Sequence, residues 1–182
     1  MANFSVSNST TPAGSAQLAI NSSYTTLIGV AASSGNFTNT GAGAGPLRRG
    51  KLYDILIGTN GTPADNYLEW SVFRTTLGTT TTWVGSISSV SSAYDLDLAD
   101  SPFGAFVTLN TTANSSTVSS VLTQAWYVGI NQRASYRWVA APGSEIVYPA
   151  NSSATGNNGL SLAVRSGGYV GTATGNLMIN EQ

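Results

Sequence analysis

The chain has 182 residues, only 8% of them charged, and a net charge of −1, so one domain with a sizeable core is expected. It contains no cysteine and no histidine, which excludes disulfides, zinc–sulfur sites and the usual serine and cysteine triads. Its 7 basic residues are too few to grip a phosphate backbone, and nucleic acid is not an expected partner. Ser and Thr make up about a quarter of the residues, well above ordinary usage. They alternate with Val, Ile, Leu, Tyr and Trp at strand spacing, which argues a folded β protein rather than disorder.

In chain order, residues 1 to 15 are polar and irregular and read as an extended arm. The start Met1-Ala-Asn-Phe-Ser has neither the basic residues nor the apolar run of a signal peptide. Leu18-Ala-Ile20 and Leu27-Ile-Gly-Val30 predict two short strands. Residues 33 to 46 read as a linker, since Gly41-Ala-Gly-Ala-Gly45 has little to pack. It lacks the Lys-Ser/Thr and the helix that a phosphate-binding glycine loop needs. The division expected is therefore residues 1–46 as an arm with two short strands and a linker, then residues 47–182 as a β-sandwich.

Leu47 to Thr76 holds the cleanest pattern. Tyr53, Ile55 and Ile57 alternate with Leu52, Asp54 and Leu56; Leu68, Trp70 and Val72 alternate with Tyr67, Glu69, Ser71 and Phe73. A period of two is the strand period. Asn60-Gly61 and Pro63 mark a turn between the runs, and the pair reads as a long-looped hairpin. Further short strands are expected around Trp83–Ile87, Phe103–Leu109, Val118–Ile130, Ser135–Ala140, Glu145–Tyr148, Leu160–Val164 and Leu177–Ile179. In the longest run, Val118, Leu122, Trp126, Val128 and Ile130 share one strand face, and the run reads as a long bent strand or as a strand after a short helix, since Val-Ser-Ser-Val-Leu also fits a helical turn. About ten short strands separated by turn signals argue an all-β sandwich or barrel.

Candidate chemistry is sparse. Asp54 and Glu69 could form a glycosidase pair if close enough, or be surface charges beside Arg74, Arg137 or Lys51. Asp95, Asp97 and Asp100 offer three hard oxygen ligands for a weak calcium site, but lack the glycine and closing Glu of an EF-hand loop; a solvated bend is the plainer reading. Arg48, Arg49 and Lys51 are three of the seven basic residues packed into four positions. They read as a solvated strand start or as an anchor for an acidic partner. Trp70, Trp83, Trp126 and Trp138 each sit in an alternating run, which favours core or subunit-interface packing. Tyr67, Tyr94, Tyr148 and Tyr169 lie near turns, where aromatic rings can stack on sugars. No catalytic set, cofactor site or membrane span is expected.

The Leu47–Thr76 pair, Arg137-Trp-Val-Ala-Ala-Pro-Gly-Ser-Glu-Ile-Val147, and the closing Gly159-Leu-Ser-Leu-Ala-Val164 and Gly175-Asn-Leu-Met-Ile179 together resemble the small jelly-roll decoration (cement) proteins of tailed bacteriophages. The resemblance lies in overall style over residues 47 to 182. It implies a jelly-roll sandwich made in the host cytoplasm and carried on the virion's capsid surface. The implied partners are the major capsid protein and further copies of this chain, a trimer above all, with no enzymatic turnover. A tail, fibre or carbohydrate-binding recognition module is the alternative reading.

Overall fold

The structure, a computed structural model, describes residues 2–8, 24–31, 49–60, 65–75, 93–95, 106–109, 123–148, 159–168 and 172–182. Among them there is no helix. The strands are β1 (Ala2–Ser7), β2 (Thr25–Ala31), β3 (Gly50–Asn60), β4 (Tyr67–Thr75), β5 (Ala93–Asp95), β6 (Phe106–Leu109), β7 (Thr123–Asn131), β8 (Tyr136–Val139), β9 (Ile146–Tyr148), β10 (Gly159–Arg165) and β11 (Thr172–Glu181). The first sheet runs β5-β1-β11-β3-β8, with β9 also on β3; the second runs β6-β2-β10-β4-β7. Every pairing is antiparallel. The chain is an all-β sandwich, as its alternation predicts.

One apolar cluster fills the space between the sheets. Phe4, Val6, Leu52, Ile55, Ile57, Leu177 and Ile179 come from the first sheet, and Leu27, Ile28, Val30, Leu68, Trp70, Val72, Leu160, Leu162 and Val164 from the second. Trp70 is fully buried there, as its place in the Leu68–Trp70–Val72 stripe requires. Arg74 reaches across the layer, its guanidinium donating to the Val147 carbonyl. At Pro142-Gly143, Ser144 N–H closes a turn on the Ala141 carbonyl, and Gly143 takes φ of 84°. Pro before a positive-φ Gly suits a type II turn.

Three expectations change. First, β3 and β4 are not a hairpin: β3 pairs with β11, β8 and β9, while β4 pairs with β10 and β7. β3 and β4 therefore lie in different sheets. A turn-rich sequence between two strands is compatible with either arrangement, and only the partner strands distinguish the two. Second, Ala2–Ser7 is not part of an irregular arm. It forms β1 between β11 and β5, with Phe4 and Val6 in the core. β2 likewise sits inside the second sheet between β10 and β6. Third, the alternation in β3 slips. Met178 faces Asp54 but Ile179 faces Leu52, so Tyr53 is an extra residue on β3. Such a bulge reverses the faces: Leu52, Ile55 and Ile57 are buried together, and Leu56 is 48% exposed. The strands expected at residues 18–20 and 83–87 lie outside the described residues, as do Val118 and Leu122.

Candidate functional site

The sandwich brings few of the predicted site residues together. Arg49 is exposed at the start of β3, where its carbonyl accepts from Gln182 N–H. Lys51 is half-buried, on the row with Val147 and Asn180. Glu145 lies near it: the Glu145 and Gly143 backbone N–H groups lower that carboxyl's pKa, and Lys51 adds to the effect. Arg48 lies outside the described residues. Asp95 ends β5, while Asp97 and Asp100 lie outside the described residues. No three carboxylates among the described residues cluster as a metal site would require.

Asp54 and Glu69 stand on the outer faces of opposite sheets, because β3 and β4 are not the hairpin that would have set them on facing strands. Each carboxylate has its own arginine. Arg137 Nε and Nη2 clamp Asp54, whose side chain is 4% exposed, while the Arg137 side chain is 60% exposed. That hydrogen bonding raises the Arg137 pKa. Glu69 Oε2 accepts from Arg165 Nε at 2.6 Å and from the Tyr24 hydroxyl at 3.2 Å. A two-carboxylate hydrolase needs its pair roughly 5 to 10 Å apart across one substrate; two side chains on outer faces of different sheets do not supply that.

Two surfaces do stand out, both involving β7. The first is the sandwich edge between β7 and β8. Trp126, Val128 and Ile130 of β7 and Trp138 of β8 point towards the core but stay only partly buried against it. The Trp126 ring lies 6.2 Å from the rings of both Trp138 and Tyr136. By contrast, every residue of β10 except Arg165 is buried. The nine residues of β7 include no charge and no proline. Charges and prolines are the usual means of blunting an edge strand. Tyr136 and Val139 of β8 extend the exposed apolar surface.

The second surface is a stripe across the outer face of the second sheet. Tyr67 is 54% exposed and Tyr127 is 47% exposed, and their hydroxyls meet at 2.7 Å. The Tyr67 phenol lies across Gly129, where an added Cβ would stand 1.9 Å from its hydroxyl. Beside it the Arg165 guanidinium bonds Glu69 and stacks 4.5 Å from the centre of the Tyr24 ring. Tyr24 is in turn held edge-on by Phe73 at 5.0 Å. The bond to Tyr67, with lesser help from burial and from Glu69, pushes the Tyr127 phenol up to about 12.

Of the tyrosines singled out in the sequence, Tyr67 is on this stripe, but Tyr148 is fully buried beneath Glu181. Tyr94 lies in β5 and Tyr169 outside the described residues. Tyr127 and Arg165 carried no local signal beyond their strand phase. Their partners are 60 and 96 residues away. Comparison with family models, with curated proteins and with solved structures returned no match for this chain.

Proposed function

We propose that this chain is a virion structural protein, a decoration protein that binds the outside of a phage capsid through the major capsid protein and stabilises it. The strand order supports the jelly-roll form of the sandwich. Leaving aside β5, β6 and β9, the sheets read β1-β11-β3-β8 and β2-β10-β4-β7. That order is the one expected of a two-sheet jelly roll and so supports the reading; the architecture is used by viral capsid and lectin domains. Fold alone does not assign function.

The observation that carries the reading is the open β7–β8 edge. An uncharged edge strand flanked by half-buried tryptophans is suited to burial against a further copy of the chain, in a trimer. Such a protein works by adhesion, without turnover. Each trimer holds its neighbours at high effective concentration, so modest individual contacts add up to firm attachment. On this reading Arg48, Arg49 and Lys51 form part of the contact with an acidic patch on the capsid, where charge steers docking.

Purified virions should contain this protein at stoichiometric abundance; its absence from particles rejects the reading. Exchanging Arg48, Arg49 and Lys51 together for Ser should weaken particle binding and flatten its salt dependence. Exposed charges are screened over about 8 Å at physiological ionic strength. An unchanged salt slope would move the contact to apolar surface.

A further inference from the structure

The geometry points to the Tyr67–Tyr127 platform, with the Glu69–Arg165 pair beside it, as a binding site for a neutral glycan. This inference is independent of the capsid reading, since the stripe lies on the outer face of the second sheet and not in the β7–β8 seam.

The platform is held in place by its surroundings. Tyr67 and Gly129 are on neighbouring strands, with Tyr67 opposite Asn131 and Glu69 opposite Gly129. Because Gly129 has no side chain, the Tyr67 phenol can lie across the strand until it meets the Tyr127 hydroxyl at 2.7 Å. Two half-exposed phenols therefore meet at their hydroxyl ends, 2.7 Å apart. Here about half of each side chain faces solvent while the rest is fixed. Aromatic faces of this kind take up the C–H face of a sugar ring, and their hydroxyl rim stays wet.

The polar neighbour is equally constrained. One carboxylate oxygen, Glu69 Oε2, accepts from Arg165 and from the Tyr24 hydroxyl, and the guanidinium rests on the Tyr24 ring. A guanidinium has five N–H donors and a carboxylate about four acceptor sites, so both keep capacity for vicinal sugar hydroxyls. Fixing both groups before binding removes the ordering cost that weakens flexible sites.

Charge selects the ligand class. One Arg offsets one Glu on the stripe, and among the described residues the Arg133–Asp65 ion pair is also balanced. An acidic glycan or a nucleic acid would meet no surplus of positive charge.

An array of neutral oligosaccharides bearing gluco-, galacto- and manno-configured hexopyranoses, printed beside sialylated and sulfated ones, tests this with the full chain. The expected result is binding to at least one neutral glycan. Tyr67→Ala combined with Tyr127→Ala should weaken it at least tenfold. Glu69→Gln should also weaken it, and Asn180→Ala on the opposite sheet should leave it unchanged. Tyr67→Phe with Tyr127→Phe keeps the ring faces but removes the hydroxyl bond that fixes them, so it should weaken binding less than the double alanine variant does. Far-ultraviolet circular dichroism checks that each variant is folded. If the double alanine variant does not fold, Gly129→Val displaces the Tyr67 ring instead and should cause the same loss. The inference is overturned if the intact chain binds no neutral glycan, if it binds only acidic ones, or if removal of both phenols leaves binding intact. Particle association unchanged in the double alanine variant would show that the two functions use separate surfaces.

Discussion

The Asp54–Arg137 pair sets a test at the level of single residues. Asp54 is buried and Arg137 is not, so the two partners are not equivalent. Removing the arginine strands an ionised carboxylate beneath the surface, whereas Asp54→Asn leaves a neutral amide there. An uncompensated buried charge is the costlier state. Chemical denaturation should therefore rank Arg137→Ala as more destabilising than Asp54→Asn; the reverse order would mean that water reaches Asp54 freely. Tyr148 sets a second test. Burial, with Glu181 nearby, raises its pKa well above the ordinary value. The folded state thus favours the neutral phenol. The unfolded chain releases that proton near pH ~10, so this contribution to stability is complete below that pH and falls as pH rises towards the folded-state value. Tyr148→Phe should show a shallower loss of stability above pH ~10 than the parent chain. Some loss should remain, because burial also raises the Tyr24 and Tyr53 pKa values. An unchanged alkaline slope in Tyr148→Phe would place the effect elsewhere.

Two glycines separate the roles of the strands that carry them. On β3, a Cβ at Gly50 would stand 2.0 Å from Cζ of Tyr148, a ring with no exposed surface and no room to move. Gly50→Ala should cost about 1–3 kcal/mol, as overpacking does. On β7, the clash at Gly129 is just as short, but it falls on the far end of the half-exposed Tyr67, which can swing into solvent. Gly129→Ala should change stability by no more than about 0.5 kcal/mol. It should still break the Tyr67–Tyr127 bond and return the Tyr127 titration towards the ordinary value of about 10. Denaturant melts and ultraviolet titration of the two variants would distinguish a glycine that the core requires from one that shapes a surface. Equal stability losses would contradict the assignment.

For the molecule as a whole, the decisive feature is the edge left open among the described residues. The sandwich buries β10 almost completely yet leaves the inward side chains of β7 and β8 only half covered. Sedimentation should find an oligomer, and Tyr136→Lys should shift it towards the 18.7 kDa monomer while leaving the fold intact. Tyr136 is exposed enough to accept the change. A lysine there sets charge into the seam, the device by which sheet edges are normally kept apart. A variant that sediments like the parent would show that the copies meet elsewhere.

By itself the sequence determined the fold class, the inward stripe Leu68–Trp70–Val72, the shared face of Trp126, Val128 and Ile130, and the exclusion of cysteine and histidine chemistry. These are local properties: alternation marks a strand, and composition limits the reagents. Only the tertiary structure decided that β3 and β4 belong to different sheets, and that Ala2–Ser7 is an internal strand. It also decided that the Tyr53 bulge reverses the faces of β3, and that Glu69 meets Arg165 while Tyr67 meets Tyr127. The reason is that backbone hydrogen bonding lets almost any strand pair with any other. The choice of partner and register follows from how the whole apolar surface is best buried, and no window of neighbouring residues contains that information.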